Sequence, residues 1–97
     1  MTLKDTYRYM IGAYFGIEEM DEYITKEYIL KEIKEYIETF LETNPIDFDI
    51  NKEYEDVNKN VSLDVKLHDA LLVLPKIKAP IDLILLVKEK IKKLNDK

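Results

Sequence analysis

Apolar residues recur at helical spacing in the first segment of the chain. This segment begins with Thr2 and Asp5, which have the spacing of a capping box. Its apolar face comprises Leu3, Tyr7, Met10, Ile11 and Tyr14. Gly16 can end such a helix, because glycine readily takes the left-handed backbone conformation of a C-cap. The spacing predicts a helix over 3–15, in which Gly12 is tolerated and Gly16 is the cap, rather than a Gly-xxx-Gly site of close helix approach.

A second amphipathic segment follows. Thr25 is of a residue type that caps helices, and Ile24 and Ile29 have the spacing of a hydrophobic staple across it. The apolar stripe consists of Ile29, Ile33, Tyr36, Ile37 and Phe40. The helix is expected to end at Asn44-Pro45, because the residue before a proline disfavours helical geometry.

The period of the pattern then changes to two, which is the period of a β-strand. Apolar side chains alternate with polar ones at Ile46, Phe48 and Ile50, and again at Val61, Leu63, Val65 and Leu67. Residues 55–60 between them are of types that favour turns. We therefore expect an antiparallel β-hairpin with strands near 46–54 and 60–68, whose apolar face is covered by the second helix.

The most apolar part of the chain is 70–87, where thirteen of eighteen residues are apolar. A short apolar segment over 70–74 is stopped by Pro75. Pro80 then suits the first position of a last helix over 80–95, because its missing N–H has no helical partner there. The lysines near the end of this helix complement its dipole.

These segments together predict one compact α+β domain over residues 1–97, in the order helix, helix, hairpin, short apolar segment and helix. A hydrophobic content of 46% with two glycines and three prolines is typical of a folded domain. The absence of cysteine excludes disulfides, thiolate catalysis and cysteine-ligated zinc. Neither a signal peptide nor a membrane span is expected, since prolines and charges interrupt 70–87, and we predict a cytoplasmic location.

Charge is distributed unevenly along the chain. Residues 1–56 hold 15 acidic and 6 basic side chains, a net charge of −9, whereas residues 57–97 hold 5 and 9, a net charge of +4. This asymmetry favours self-association or binding to a basic partner and opposes binding to nucleic acid. The many lysines and glutamates and the absence of glutamine are typical of thermophilic proteins, although AT-rich coding favours some of the same residues.

Candidate catalytic or metal-binding residues are few. Asp47, Asp49 and Asp64 would share the polar face of the predicted hairpin with His68, where carboxylates can hold Mg²⁺ or Ca²⁺. A solvated sheet face is the simpler interpretation of these residues. His68 is the only histidine and Ser62 the only serine, and the chain has no glycine-rich phosphate-binding motif. We therefore predict a protein without enzymatic activity, catalytic residues, metal or cofactor.

The apolar excess of 70–87 predicts a binding surface. A helix that is apolar on every side must be covered on every side, and one small domain supplies only part of that cover. The expected interface residues are Leu72, Leu74, Ile77, Ile81, Leu83, Leu85 and Leu86. We expect a non-enzymatic interaction or assembly module that forms a homodimer or binds another protein.

Two alternatives stay open at this point. The acidic connector 18–22, with Asp47 and Asp49, can neutralise a basic target in the manner of an inhibitor, antitoxin or immunity protein. The helix–helix–hairpin order is also that of a winged-helix nucleic-acid-binding protein. The exposed face of the second helix is slightly acidic, however, which disfavours contact with phosphates.

Overall fold

The computed structural model describes residues 2–23 and 25–96, and these residues form an all-helical, bundle-like fold. The helices are α1 (Leu3–Glu18), α2 (Lys26–Thr43), α3 (Ile50–Asn60), α4 (Leu63–Val73) and α5 (Ile81–Asn95). A short 3₁₀ segment, Leu74–Ile77, follows α4 directly. No strand occurs in the described residues, so the predicted α+β class was wrong.

The predicted capping box at the start of α1 is confirmed. The Thr2 hydroxyl accepts the Asp5 N–H at 3.1 Å, and the Thr2 N–H donates to the Asp5 carboxylate at 3.2 Å. The helix runs three residues beyond its predicted end, however, and Gly16 lies buried inside it. Glycine at this position therefore has another role than ending the helix.

Helix α2 spans Lys26–Thr43, as its apolar stripe and the Asn44-Pro45 stop predict. Its buried side chains are Ile29, Ile33 and Ile37. The Thr25 side chain makes no capping hydrogen bond. The predicted staple to Ile24 lies outside the described residues.

The predicted hairpin was wrong because its two strands, 46–54 and 60–68, fall largely on α3 and α4. Each helix starts at a side-chain cap that the strand interpretation overlooked. The Asp49 carboxylate accepts the N–H groups of Asn51 and Lys52, at 3.0 and 3.4 Å. The Ser62 hydroxyl accepts the Val65 N–H at 3.4 Å. Asp and Ser are preferred at this position, because their oxygens satisfy N–H groups that have no helical acceptor.

Helical spacing was present beneath the apparent alternation. Leu63 and Leu67 belong to both patterns, because they are four residues apart and therefore share a helix face as well as a strand face. Leu67 and, three residues on, Ala70 are fully buried, whereas Val65, which the alternation places on the same face as Leu67, is exposed. The apolar face of these residues thus follows the helical period.

The last helix is confirmed over Ile81–Asn95, but Pro80 is its N-cap and not, as predicted, its first residue. The predicted segment 70–74 is not a separate element, because its residues up to Val73 are the end of α4 and Leu74 begins the 3₁₀ segment that contains Pro75. The chain then turns at Lys78, whose φ of 55° is in the left-handed region. The Ala79 N–H donates to the Leu74 carbonyl at 3.0 Å, which closes the turn before α5.

Helix α1 occupies the centre of the fold. It packs most extensively on α4 and also contacts α2 and α3, while α5 packs on α4. Tyr7 is fully buried, and its ring meets those of Phe40 and Phe48 edge-on at centroid distances of 5.3 and 6.0 Å. Edge-to-face contacts of this kind are favourable aromatic arrangements. The buried side chains form one hydrophobic core.

The contact between α1 and α4 depends on the two glycines of α1. A Cβ atom at Gly16 would lie 2.7 Å from the carbonyl oxygen of Lys66, and one at Gly12 would overlap the Asp69 carboxylate. Gly12-xxx-Gly16 is therefore a site of close helix approach, and its interpretation as a tolerated glycine followed by a cap was wrong.

We predict that Gly16→Ala destabilises the protein. Alanine gains about 1 kcal/mol of helix propensity over glycine. The new methyl group, however, meets backbone atoms of α4 that cannot move alone, and such overpacking costs about 1–3 kcal/mol. Urea unfolding measured by circular dichroism should give a lower midpoint. Glu35→Ala, at an exposed position of α2, is the control and should change stability by less than about 0.5 kcal/mol. A higher midpoint for Gly16→Ala, which helix propensity alone would give, would contradict the close approach.

Candidate functional site

Exposed apolar side chains mark the candidate surface. Large hydrophobic side chains exposed in the described residues are Leu3, Tyr28, Val65, Leu72, Ile81 and Leu85. Three of them lie in the 70–87 segment: Leu72 is 54% exposed, Ile81 73% and Leu85 57%. The sequence segment with the highest apolar content thus also leaves the most apolar side chains in contact with solvent.

The other predicted interface residues are oriented differently. Leu74 and Leu83 are fully buried in the core of this chain. Ile77 and Leu86 are partly buried and pack against the same core. The structure therefore narrows the candidate surface to Leu72, Ile81 and Leu85, and the interface role of these residues stays a prediction.

Helix α5 has two faces of different character. Its inner face carries Leu83, Val87 and Ile91, which are buried and four residues apart. Its outer face starts with Ile81 and Leu85. Lys88 and Lys92, which are also exposed, continue the same stripe at helical spacing. We call Ile81, Leu85, Lys88 and Lys92 the α5 stripe.

Helix α4 also carries apolar residues on its outside. Val65 and Leu72 are exposed and seven residues apart, which places them on one face with Asp69 between them. We call Val65, Asp69 and Leu72 the α4 face. Asp69 lies against Gly12 of α1 and is partly buried, and this burial raises its pKa to about 6. Its carboxylate has no hydrogen-bond or ion-pair partner within 2–23 and 25–96.

The acidic connector is largely neutralised by lysines of the same chain. The Glu19 carboxylate lies 3.3 Å from the Lys66 ammonium, and Lys66 is buried. The Glu22 carboxylate lies 2.9 Å from the Lys90 ammonium, which lowers the pKa of Glu22. Asp21, at 3.5 Å from Lys26, is almost fully exposed. Two of the four carboxylates of the connector, those of Glu19 and Glu22, are therefore engaged with α4 and α5 of the same chain.

The carboxylates that the hairpin would have aligned lie on separate elements. Asp47 and Asp49 precede α3, where Asp49 is the N-cap, and Asp64 lies in the first turn of α4. The Nδ1 atom of His68 hydrogen-bonds the Asp64 backbone carbonyl at 2.8 Å. Within the described part of the chain, no group of three or more acidic or histidine side chains is placed to hold a metal ion.

A buried ion pair between α1 and α3 was missed in the sequence. Glu53 is only 8% exposed, and the Arg8 guanidinium lies 2.8 Å from its carboxylate and 2.8 Å from that of Asp56. Lys4 reaches Glu53 at 3.7 Å from an exposed position. The available signal was Arg8 itself, the only arginine in the chain, because arginine suits bidentate and partly buried pairs better than lysine.

A small groove lies between α2 and α3. It has a volume of about 280 Å³ and an apolar lining that includes Ile37, Leu41, Ile50 and Tyr54. Burial raises the pKa of Tyr54 to about 12, which keeps its hydroxyl protonated at neutral pH. The groove is smaller than most ligand pockets, and its lining contains no nucleophile paired with a base.

Comparisons with protein-family models, with curated proteins and with solved structures find no match to this chain. Among the helices of the described residues, none is both long enough and apolar enough to cross a bilayer. The function must therefore be argued from the surface of the chain itself.

We predict that Arg8→Met lowers the free energy of unfolding by about 2–3 kcal/mol, because it leaves the buried Glu53 carboxylate without its closest cation. Lys4→Met removes a longer, exposed contact to the same carboxylate and should cost less than about 1 kcal/mol. Urea unfolding of both variants checks this. Adding Glu53→Gln to Arg8→Met should recover part of the loss, and equal effects of the two single variants would contradict the assignment.

Proposed function

We propose that this chain is a non-enzymatic protein-interaction module that self-associates through the exposed apolar residues of 70–87. The observation that carries the proposal is the exposure of Leu72, Ile81 and Leu85 on α4 and α5. Ile81 and Leu85 lie one turn apart on the same side of α5, and neighbouring exposed apolar side chains are typical of interaction sites. The absence of cysteine, on which small secreted domains commonly depend, supports a cytoplasmic location.

The energetics favour a reversible contact. Leu72 and Leu85 are a little more than half exposed and Ile81 is 73% exposed, so burying the exposed part of each side chain contributes about 1–2 kcal/mol. In a two-fold dimer both copies contribute these three side chains, so the gain is doubled. Association itself costs on the order of 4–15 kcal/mol, which offsets much of that gain. Apolar burial alone therefore supports a weak dimer, and polar contacts around it must contribute the rest.

An acidic inhibitor of a basic target is the second candidate. Its support is the net charge of −9 in residues 1–56. The pairing of Glu19 with Lys66 and of Glu22 with Lys90 weakens this support, because these carboxylates are engaged within the chain. The winged-helix alternative has lost its structural basis, since residues 2–23 and 25–96 contain no strand to form a wing.

We predict that the unmodified chain is a dimer at tens of micromolar and that Leu85→Asp weakens the dimer at least about tenfold, because the carboxylate would be desolvated at the interface. Sedimentation equilibrium gives the mass and the dissociation constant. Tyr28→Asp is the matched control, since Tyr28 is 65% exposed but lies on α2, outside 70–87.

This control variant should still form dimers. A monomeric chain at tens of micromolar would refute self-association. Steep loss of binding to a basic target with rising salt would instead favour the inhibitor.

A further inference from the structure

The α4 face presents a carboxylate that the described chain leaves unpaired. Asp69 lies between exposed Val65 and exposed Leu72, and Gly12 of α1 packs against its side chain. The nearest titratable groups on α1, one turn from Gly12, are already engaged: Arg8 binds α3, and the Tyr9 hydroxyl accepts from Lys76 at 3.0 Å. On α4 itself, the neighbouring His68 hydrogen-bonds the Asp64 backbone carbonyl through Nδ1 at 2.8 Å. None of these neighbouring groups pairs with the Asp69 carboxylate, which leaves it available to a cation of another molecule.

The α5 stripe carries the complementary chemistry. Ile81 and Leu85 supply apolar contact, and Lys88 follows Leu85 after three residues. Lys88 is exposed and has no ion-pair partner among residues 2–23 and 25–96, whereas Lys90 and Lys93 of the same helix bind Glu22 and Glu89. Lys88 is thus free to bind an acidic group on another molecule.

The residue spacing of the α5 stripe matches that of the α4 face whether the two helices pack parallel or antiparallel. In an antiparallel contact Leu85 meets Leu72, and in a parallel contact it meets Val65. Asp69 is three residues from Leu72 and four from Val65, and Lys88 is three residues from Leu85, so both arrangements bring Lys88 close to Asp69. Charge and register therefore match between these two surfaces of one sequence.

We propose that the α5 stripe of one copy docks on the α4 face of a second copy, with Lys88 paired to Asp69 across the interface. This inference rests on the proposed self-association and names its geometry. Two-fold symmetry makes the contact twice, so that the two α4–α5 pairs assemble as four helices. A cation at this position offsets the burial that raises the pKa of Asp69, because a nearby positive charge favours the ionised carboxylate.

A double-mutant cycle on the full chain tests the pair. Asp69→Asn keeps the shape of the side chain against Gly12, and Lys88→Ala changes only an exposed position. Each single variant should weaken the dimer about tenfold in sedimentation equilibrium, since the pair occurs twice, and the double variant should be no weaker than either. Lys52→Ala, an exposed lysine of α3, is the control and should leave the dissociation constant unchanged.

Charge exchange gives an independent readout. Lys88→Asp alone should abolish the dimer at tens of micromolar, because it places two carboxylates together, and adding Asp69→Lys should restore it. A circular dichroism spectrum confirms that each variant is helical, and the Asn/Ala cycle decides the matter if the exchanged pair does not fold. A dimer with additive single effects would overturn the docking geometry alone. A monomeric unmodified chain would overturn both this geometry and the proposed self-association.

Discussion

The close contact between α1 and α4 is the constraint on which the rest of the structure depends. Gly12 and Gly16 remove the side chains that would hold these helices apart, and the carbonyl of Lys66 fits into the space. Helix α4 in turn supports α5, which packs on α4 through Leu83, Val87 and Ile91. Because α5 packs on α4, the contact between α1 and α4 also affects the direction in which the α5 stripe points. Two glycines of the first helix thus determine the surface offered by the last.

Ion pairs within the chain use part of the uneven charge of the sequence. Arg8 joins α1 to Glu53 of α3, Glu19 binds Lys66 of α4, and Glu22 binds Lys90 of α5. Two of these three pairs connect the acidic first half with the basic second half. The asymmetry that suggested a basic target therefore serves in part to hold the helices together. The carboxylates of Glu19 and Glu22 are therefore already paired in the folded chain, whereas the chain as a whole keeps a net charge of −5.

The sequence predicted α1, α2 and α5 because caps, stops and apolar spacing agree within each of them. It failed between 46 and 68, where Leu63 and Leu67 satisfy both periods and only the N-caps Asp49 and Ser62 favour helices. The sequence indicated that the candidate surface lies in 70–87. It did not indicate which side chains of this segment are exposed. Leu83 and Leu85 look equivalent in the sequence, yet one is buried and the other exposed. That difference depends on where α4 lies, which no local pattern contains.

The way in which α5 divides its apolar residues bears on the kind of partner that it meets. Its inner face completes the core, so the fold does not require a second molecule to shield Leu83, Val87 or Ile91 from water. Ile81 and Leu85 are the exposed large apolar residues of α5, and they lie beside exposed lysines. An obligate dimer normally buries a larger and more continuous apolar surface than this. The balance between a closed core and a short apolar stripe favours a partner that binds and leaves, with specificity set by the charged residues beside the apolar ones.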